Sequence, residues 1–273
     1  MGAGRAGSSS TCTSSVYLLL HRHAGSLVLA DTFCRTLPGP ADGARPNPVP
    51  AMAFLVRLIE HLAQQASSTQ LSQGQQEVLQ DGLQLLRDIA GRADDGAWLG
   101  GGLPLVQPAL DAGAVPLLLA ALAALEPINS GGDSSRGRGP PSARVQELVP
   151  VLAERAECLP LQPPYRGYRT DLLAVLANLA FRRPAVAAQV AALGGPVLVL
   201  AQCQPDRASP LSREWALWAV RNLCEGSEEA CAALAELRAC AAADSEELTR
   251  AGLALELDEQ AGKPRVVRLQ KER

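Results

Sequence analysis

Residues 184–225 read PAVAAQVAALGGPVLVLAQCQPDRASPLSREWALWAVRNLCE. Apolar residues recur at helical spacing in three segments of this stretch, 184–193, 196–204 and 210–224. A Gly-Gly-Pro turn separates the first segment from the second, and a Gln-Pro-Asp turn separates the second from the third. The stretch therefore predicts a short helix, a sharp turn, a second helix and a longer third helix.

Parts of this pattern recur along the chain. NLAFRRPAVAAQVAAL starts at Asn178 and NLCEGSEEACAALAEL starts at Asn222, an offset of 44 residues. A weaker third copy ends at Asp88, 90 residues before Asn178. An offset in the forties is typical of armadillo or HEAT repeats, and three helices per unit favour armadillo. Because each unit buries its apolar face only by stacking on its neighbours, we predict an all-α fold, an armadillo-like α-solenoid.

Both ends of the chain and one internal segment depart from this pattern. Residues 1–50 are rich in Gly, Ser and Pro, and they predict a disordered N-terminal tail that ends in a Pro-rich linker. Because residues 1–30 are rich in Ser and poor in acids, an organelle transit peptide is the alternative for them. EPINSGGDSSRGRGPP at 126–141 predicts a disordered loop. Alternating apolar residues at 253–257 and 265–269 predict a small C-terminal β-hairpin.

These features divide the chain into four parts. The predicted boundaries are the tail and linker at 1–50, a weak armadillo-like repeat region at 51–125, the disordered loop at 126–141 and a C-terminal armadillo domain at 142–270.

Composition limits the classes of function. The 273 residues are 47% hydrophobic but only 3% aromatic, so the core is expected to consist mainly of Leu, Ala and Val. The formal net charge is −3, and a nucleic-acid binder usually has a basic surplus. A nucleic-acid-binding helical repeat is therefore the weaker alternative. The seven cysteines form no CxxC pair, which favours buried thiols in a reducing compartment.

The sequence carries no motif of an enzyme. It lacks a nucleophile elbow, a phosphate-binding loop and a metal-ligand cluster, and it has only three His. We therefore expect no enzymatic activity, no cofactor and no metal. The apolar runs at 16–20 and 27–30 are too short to cross a bilayer, so no membrane association is expected.

The third helix of the quoted stretch carries the predicted binding surface. Trp218 and Asn222 lie four residues apart, so their side chains share one helical face. Asn178 lies one repeat earlier, and equal positions in successive units fall on the same side of a solenoid. We predict that Asn178, Trp218, Arg221 and Asn222 line a concave face that binds another protein, with Asn222 partly exposed. The alternative is that both Asn side chains hydrogen-bond backbone within the stack.

Two stretches resemble the ataxin-10 domain family. They are YRTDLLAVLANLAFRRPAVAAQVAALGGPVLVLAQCQ at 168–204 and SPLSREWALWAVRNLCEGSEE at 209–229. The resemblance makes the domain at 142–270 ataxin-10-like, and it implies an armadillo-like solenoid without enzymatic activity. It further implies a cytoplasmic scaffold or adaptor with a role in cell division or at cilia. Because members usually carry more N-terminal repeats, the chain is expected to be either a short homologue or a truncated gene model.

The resemblance also bears on the partners. In peptide-binding armadillo proteins the equivalent Asn amide bonds the backbone of the ligand, and the Trp packs on a ligand side chain. Ala174 stands where the Trp of the preceding unit would be, which argues against a regular importin-like groove. The expected partners are other proteins, with a homo-oligomer as a further alternative.

Overall fold

The computed structural model describes residues 49–92, 105–125, 150–236, 246–258 and 263–268. The predicted tail over residues 1–48 and the predicted loop at 126–141 lie outside the described residues. The chain divides into two compact units, Met1–Ala230 and Cys231–Arg273, and each is described by itself.

All regular secondary structure in the described part of the first unit is helical. In chain order, its helices are α1 (Val49–Ser68), α2 (Gln73–Arg92), α3 (Val106–Asp111), α4 (Ala114–Ala124), α5 (Pro150–Glu157), α6 (Tyr168–Ala180), α7 (Pro184–Ala192), α8 (Gly195–Leu200), α9 (Ser212–Gly226) and α10 (Glu228–Ala235), whose last residues pass into the second unit. The predicted all-α class is confirmed at this coarse level. The predicted domain boundaries stay predictions.

The first helix starts earlier than the sequence indicates. The Pro-rich linker is predicted to be non-helical as far as residue 50, but α1 begins at Val49. Pro50 stands in the first turn of α1, where its missing N–H costs no hydrogen bond because first-turn N–H groups have no acceptor within the helix. The linker prediction is therefore wrong for these two residues.

The predicted sharp turn between α7 and α8 is present. Gly194 has a φ of +75°, a left-handed conformation that glycine adopts without steric cost. At the next position there is no room for a side chain, since a Cβ on Gly195 would lie only 2.8 Å from the carbonyl oxygen of Val190 and would also overlap the Val190 side chain. Two glycines in succession therefore let the chain reverse between two short apolar helices.

The core of the first unit is centred on α6. This helix packs against α2 and α9, and most of its side chains are buried, Leu173 and Leu176 completely. Helices α7 and α8 pack against α9, and α8 also contacts α4. Aliphatic side chains of Leu, Val and Ala make up most of this core, as the composition predicts.

The second unit contains the predicted hairpin. After α11 (Glu246–Arg250), strands β1 (Leu253–Asp258) and β2 (Lys263–Arg268) pair in antiparallel register, with Leu255 opposite Val266. On the other face, Arg265 pairs with Glu256 at 3.2 Å. The hairpin prediction is confirmed, and no strand end lies more than two residues from its predicted position.

No helix among the described residues has both the length and the apolarity that a bilayer crossing requires.

Truncating Leu176 tests the packing of α6. Leu176→Ala is expected to lower the free energy of unfolding by about 2–5 kcal/mol, because the buried side chain leaves a cavity between stacked helices. Leu217→Ala is the matched control, since Leu217 lies 41 residues later on α9 and is 49% exposed. Its cost should be about 0.5 kcal/mol, and urea unfolding of both variants would measure the difference. Equal costs would contradict this packing.

Candidate protein-binding surface

Helices α2, α6 and α9 lie side by side. Near the start of α6, the N–H of Gly167 donates to the carbonyl of Ala208 at 2.8 Å, and the hydroxyl of Thr170 donates to the carbonyl of Pro210 at 2.6 Å. Both acceptors lie just before α9. The C-terminal parts of the two helices are also in contact, since Asn222 on α9 bonds Ala177 on α6. The helices α6 and α9 therefore run in the same direction.

Two asparagines connect these three helices near their C-terminal ends. Nδ2 of Asn178 on α6 donates to the carbonyl of Arg87 on α2 at 3.0 Å. Nδ2 of Asn222 on α9 donates to the carbonyl of Ala177 on α6 at 2.9 Å. Ala177 precedes Asn178, and Arg87 precedes Asp88, which is the residue predicted to end the weaker third copy. The same contact thus recurs at the predicted repeat positions.

The exposure predicted for Asn222 is wrong. Asn222 is only 6% exposed, and its amide nitrogen bonds the neighbouring helix. The physical reason is its place on α9, where it points to α6 and away from solvent. Its Oδ1 is buried without a hydrogen-bond partner among the described residues. Asn178 is half-buried and makes the equivalent contact. Whether either residue also contacts a partner protein stays a prediction.

Trp218 and Arg221 form the exposed part of the predicted surface. Trp218 is 51% exposed, and the guanidinium of Arg221 lies 5.3 Å from the centroid of its ring, a cation–π distance. Arg221 also pairs with Glu225 at 2.8 Å. Trp215 is half-buried and packs on the core. The structure therefore separates the predicted residues into two buried or half-buried amides and one exposed aromatic–cation pair.

A buried cluster of ionisable side chains lies between α2 and α6, and no sequence pattern predicts it. The hydroxyl of Tyr165 donates to Oδ2 of Asp171 at 2.8 Å, and Nη1 of Arg87 lies 4.0 Å from Oδ1 of the same carboxylate. Burial raises the pKa of Asp171 to about 6, because it outweighs the Tyr165 hydrogen bond and the Arg87 charge, which both lower it. Burial and the charge of Asp171 raise the pKa of Tyr165.

A second set of polar contacts holds the loop before α9. Arg169 on α6 is buried and pairs with Asp206 at 3.1 Å, and it also donates to Oε1 of Gln202. These partners lie more than 30 residues apart in the sequence, with no local spacing to reveal them.

Among the described residues, no three His, Cys, Asp or Glu side chains are grouped as a metal site would require.

Comparison with known proteins relates residues 168–267 to one protein family. Residues 168–267 match the profile of a family described as "Spinocerebellar ataxia type 10 protein domain". An ataxin-10 homolog from Dictyostelium discoideum is 31% identical over 88 residues, which are 32% of this chain and 14% of that protein. Ataxin-10 from Xenopus tropicalis is 31% identical over 90 residues, which are 33% of this chain and 19% of that protein. No solved structure gives a significant match.

The resemblance predicted from the sequence is therefore confirmed for residues 168–267. The matched part covers less than a fifth of each of these two relatives.

Substitution of Asn222 tests whether its amide holds α9 on α6. Asn222→Ala should lower the free energy of unfolding by about 1 kcal/mol through loss of the hydrogen bond. Asn222→Asp should cost more, because a buried carboxylate cannot donate and lies against the carbonyl of Ala177. Glu225→Ala, an exposed change one turn later, is the control and should be nearly neutral. Chemical unfolding at pH 7 measures the order, and an Asp variant as stable as wild type would contradict it.

Replacement of Asp171 tests the ionisable cluster. The folded-state pKa of about 6 lies above the unfolded value, so between about pH 4 and 6 the folded state binds the extra proton. This contribution to stability is present at pH 5 and lost by pH 7. Asp171→Asn should therefore reduce the difference between the unfolding free energies at pH 5 and pH 7 by about 1 kcal/mol.

Burial also raises the pKa of Asp81 to about 6. Because Asp81 is present in both proteins, its titration cancels in the comparison, and the expected difference is due to Asp171 alone. Urea unfolding at the two pH values would measure it. A variant with the wild-type pH profile would show that Asp171 titrates normally.

Proposed function

We propose that this chain, whose residues 168–267 belong to the ataxin-10 domain family, is a non-enzymatic scaffold or adaptor that binds other proteins. The proposal includes an armadillo-like α-solenoid in which α2, α6 and α9 line one side. Its location is the cytoplasm, and its role is in cell division or at cilia, as the resemblance implies.

One observation carries the proposal: a half-exposed tryptophan on a helix whose opposite side is fixed in the core. Ala216, Ala219 and Leu223 of α9 are completely buried, so the helix is rigidly placed. Trp218 lies on the side that these residues leave in solvent. Large aromatic side chains and Arg are the residues that contribute most to protein–protein binding energies. An exposed Trp beside an Arg on a rigid helix is thus suited to anchor a partner.

The two asparagines have an indirect part in this proposal. Their amides hold the three helices in register, and this fixes the spacing of side chains along the side that α2, α6 and α9 share. A partner that lies across this side would contact Trp218 and Arg221 directly. Asn178 is the half-buried member, and its remaining polar surface is available to the partner. Asn222 acts by holding α9 in place.

The proposal is tested by comparing proteins captured from the source cell by wild type and by variants. Trp218→Ala should reduce the recovery of specific partners about tenfold, which corresponds to about 1.4 kcal/mol of binding free energy. Its melting temperature should stay close to that of wild type, because the side chain is half in solvent. Leu161→Ala is the matched control, since Leu161 is exposed and lies in the turn region before α6.

Two results would contradict the proposal. One is equal recovery of every partner by Trp218→Ala and wild type. The other is recovery of nucleic acid as the main ligand, with a steep dependence of binding on salt concentration. The role in cells requires a separate measurement: wild type but not Trp218→Ala should restore normal division or cilia after depletion of the endogenous chain.

A further inference from the structure

The turn between α1 and α2 contains two short motifs that the proposed function does not use. In the whole sequence, Ser or Thr is directly followed by Gln at two places, Thr69-Gln70 and Ser72-Gln73. Both acceptor hydroxyls lie between the end of α1 and the start of α2. Some Ser/Thr protein kinases select their acceptor by a Gln at the next position. The turn therefore contains two candidate acceptors for such a kinase.

Both motifs are accessible in the folded chain. The two acceptors and the glutamines after them are exposed: Thr69, Gln70, Ser72 and Gln73. A kinase binds its acceptor in an extended segment, so the residues after Ser72 have to leave the first turn of α2 during the reaction. Gly74 in that turn favours this opening, because glycine is the weakest helix former after proline.

The hydrogen bonds of the turn distinguish Ser72 from the other hydroxyls nearby. The hydroxyls of Ser67, Ser68 and Thr69 donate to backbone carbonyls of α1. The hydroxyl of Ser72 instead accepts from the N–H of Gln75 at 3.3 Å, and it donates to no residue in the part of the chain that the structure describes. Transfer of the Ser72 proton therefore breaks no hydrogen bond of the fold.

The start of α2 is suited to a negative charge on Ser72. Ser72 is the N-cap in a capping box, since its own N–H donates to the side-chain oxygen of Gln75 at 3.0 Å. The first turn of α2, residues 73–76, reads Gln-Gly-Gln-Gln and contains no acid to interact with the positive end of the helix dipole. A phosphate on Ser72 supplies this charge, and its oxygens can accept from first-turn N–H groups. Glu77 on the next turn is exposed, so its repulsion is screened by solvent.

Thr69 lies at the opposite kind of helix end. Its hydroxyl donates to the carbonyl of Gln65 at 3.1 Å, in the last turn of α1. A phosphate on Thr69 would remove this donor and place negative charge at the negative end of the α1 dipole. The last turn of α1 also contains no basic residue that could pair with the phosphate. The fold therefore accommodates a phosphate on Ser72 and opposes one on Thr69.

We propose that Ser72 is a phosphorylation site for a Ser/Thr protein kinase that requires Gln after its acceptor, and that the phosphate strengthens the start of α2. In the reaction, Oγ of Ser72 forms a bond to the γ-phosphorus of ATP and the bond from that phosphorus to the ADP oxygen breaks. The hydroxyl proton passes to a base of the kinase, and the products are phosphoserine and ADP. The site does not include Trp218, so its test is independent of the proposed function.

The first test is phosphorylation of the full-length chain. The protein is incubated with ATP, Mg²⁺ and the catalytic domain of a glutamine-directed kinase, and tandem mass spectrometry of the tryptic peptide 58–87 locates the phosphate. Phosphate is expected on Ser72. Ser67 and Ser68 are exposed but are not followed by Gln, so they should stay unmodified. Gln73→Asn, which shortens the selected side chain by one methylene, should reduce phosphorylation of Ser72 at least about tenfold.

Melting temperatures measure the effect on α2. Phosphorylation of Ser72 should raise the melting temperature by about 1–3 °C, because the phosphate interacts with the helix N-terminus. Ser72→Asn is the matched control, since Asn retains the N-cap and cannot be phosphorylated. This variant should melt as wild type does and show no increase after treatment with the kinase. The peptide 58–87 of the protein isolated from its source cell with phosphatases inhibited should also carry phosphate on Ser72.

Four results would overturn the proposal. One is a full-length chain that gains no phosphate on Ser72, and the isolated peptide 66–79 would then show whether the fold or the sequence prevents the reaction. Another is equal phosphorylation of Ser67 or Ser68, because Gln would then not select the acceptor. A third is a lower melting temperature after phosphorylation of Ser72. The last is a peptide 58–87 from the source cell that carries no phosphate on Ser72.

Discussion

The hydrogen bond from an asparagine side chain to a backbone carbonyl of the neighbouring helix fixes how the central helices fit together. Packing of Leu, Val and Ala side chains supplies most of the attraction between α2, α6 and α9, but it has little directional preference. The amides of Asn178 and Asn222 add direction, because each reaches one particular carbonyl. A helix displaced along its axis by one residue would lose this contact and leave a buried amide without an acceptor. The two bonds therefore select one register.

The contacts of α6 with α2 and with the loop before α9 also contain charged side chains, which a purely hydrophobic interface would exclude. Asp171 and Arg169 lie on α6, one facing Arg87 of α2 and the other facing Asp206 before α9. Each of these two charges thus has a partner from a neighbouring element, and removing the partner would leave the charge desolvated and unpaired. For Asp171 the compensation is incomplete, and its raised pKa is the result. These pairs make the contacts between helices selective for their own neighbours.

Local features of the fold follow well from the sequence, and the direction of single side chains follows poorly. Spacing within a few residues predicts the Gly194 turn and the hairpin strands. The repeated Asn-Leu segment predicts that Asn178 and Asn222 are equivalent. The spacing of four residues places Asn222 about 40° from Trp218 around the helix axis and so predicts exposure. This small rotation is enough to bring the Asn222 side chain against α6. The pairing of Arg169 with Asp206 depends on how a distant loop folds back, and one sequence carries no signal for it.

The most direct test of this account is the exchange behaviour of the asparagine side chains in solution. In a nitrogen-15 NMR spectrum of the full-length chain, the account predicts that the side-chain NH₂ protons of Asn222 and Asn178 exchange slowly with water. Asn222, the more buried residue, should be the more strongly protected. Side-chain protons of both residues that exchange as fast as those of a free asparagine would contradict the account, because the helices would then be held without these hydrogen bonds.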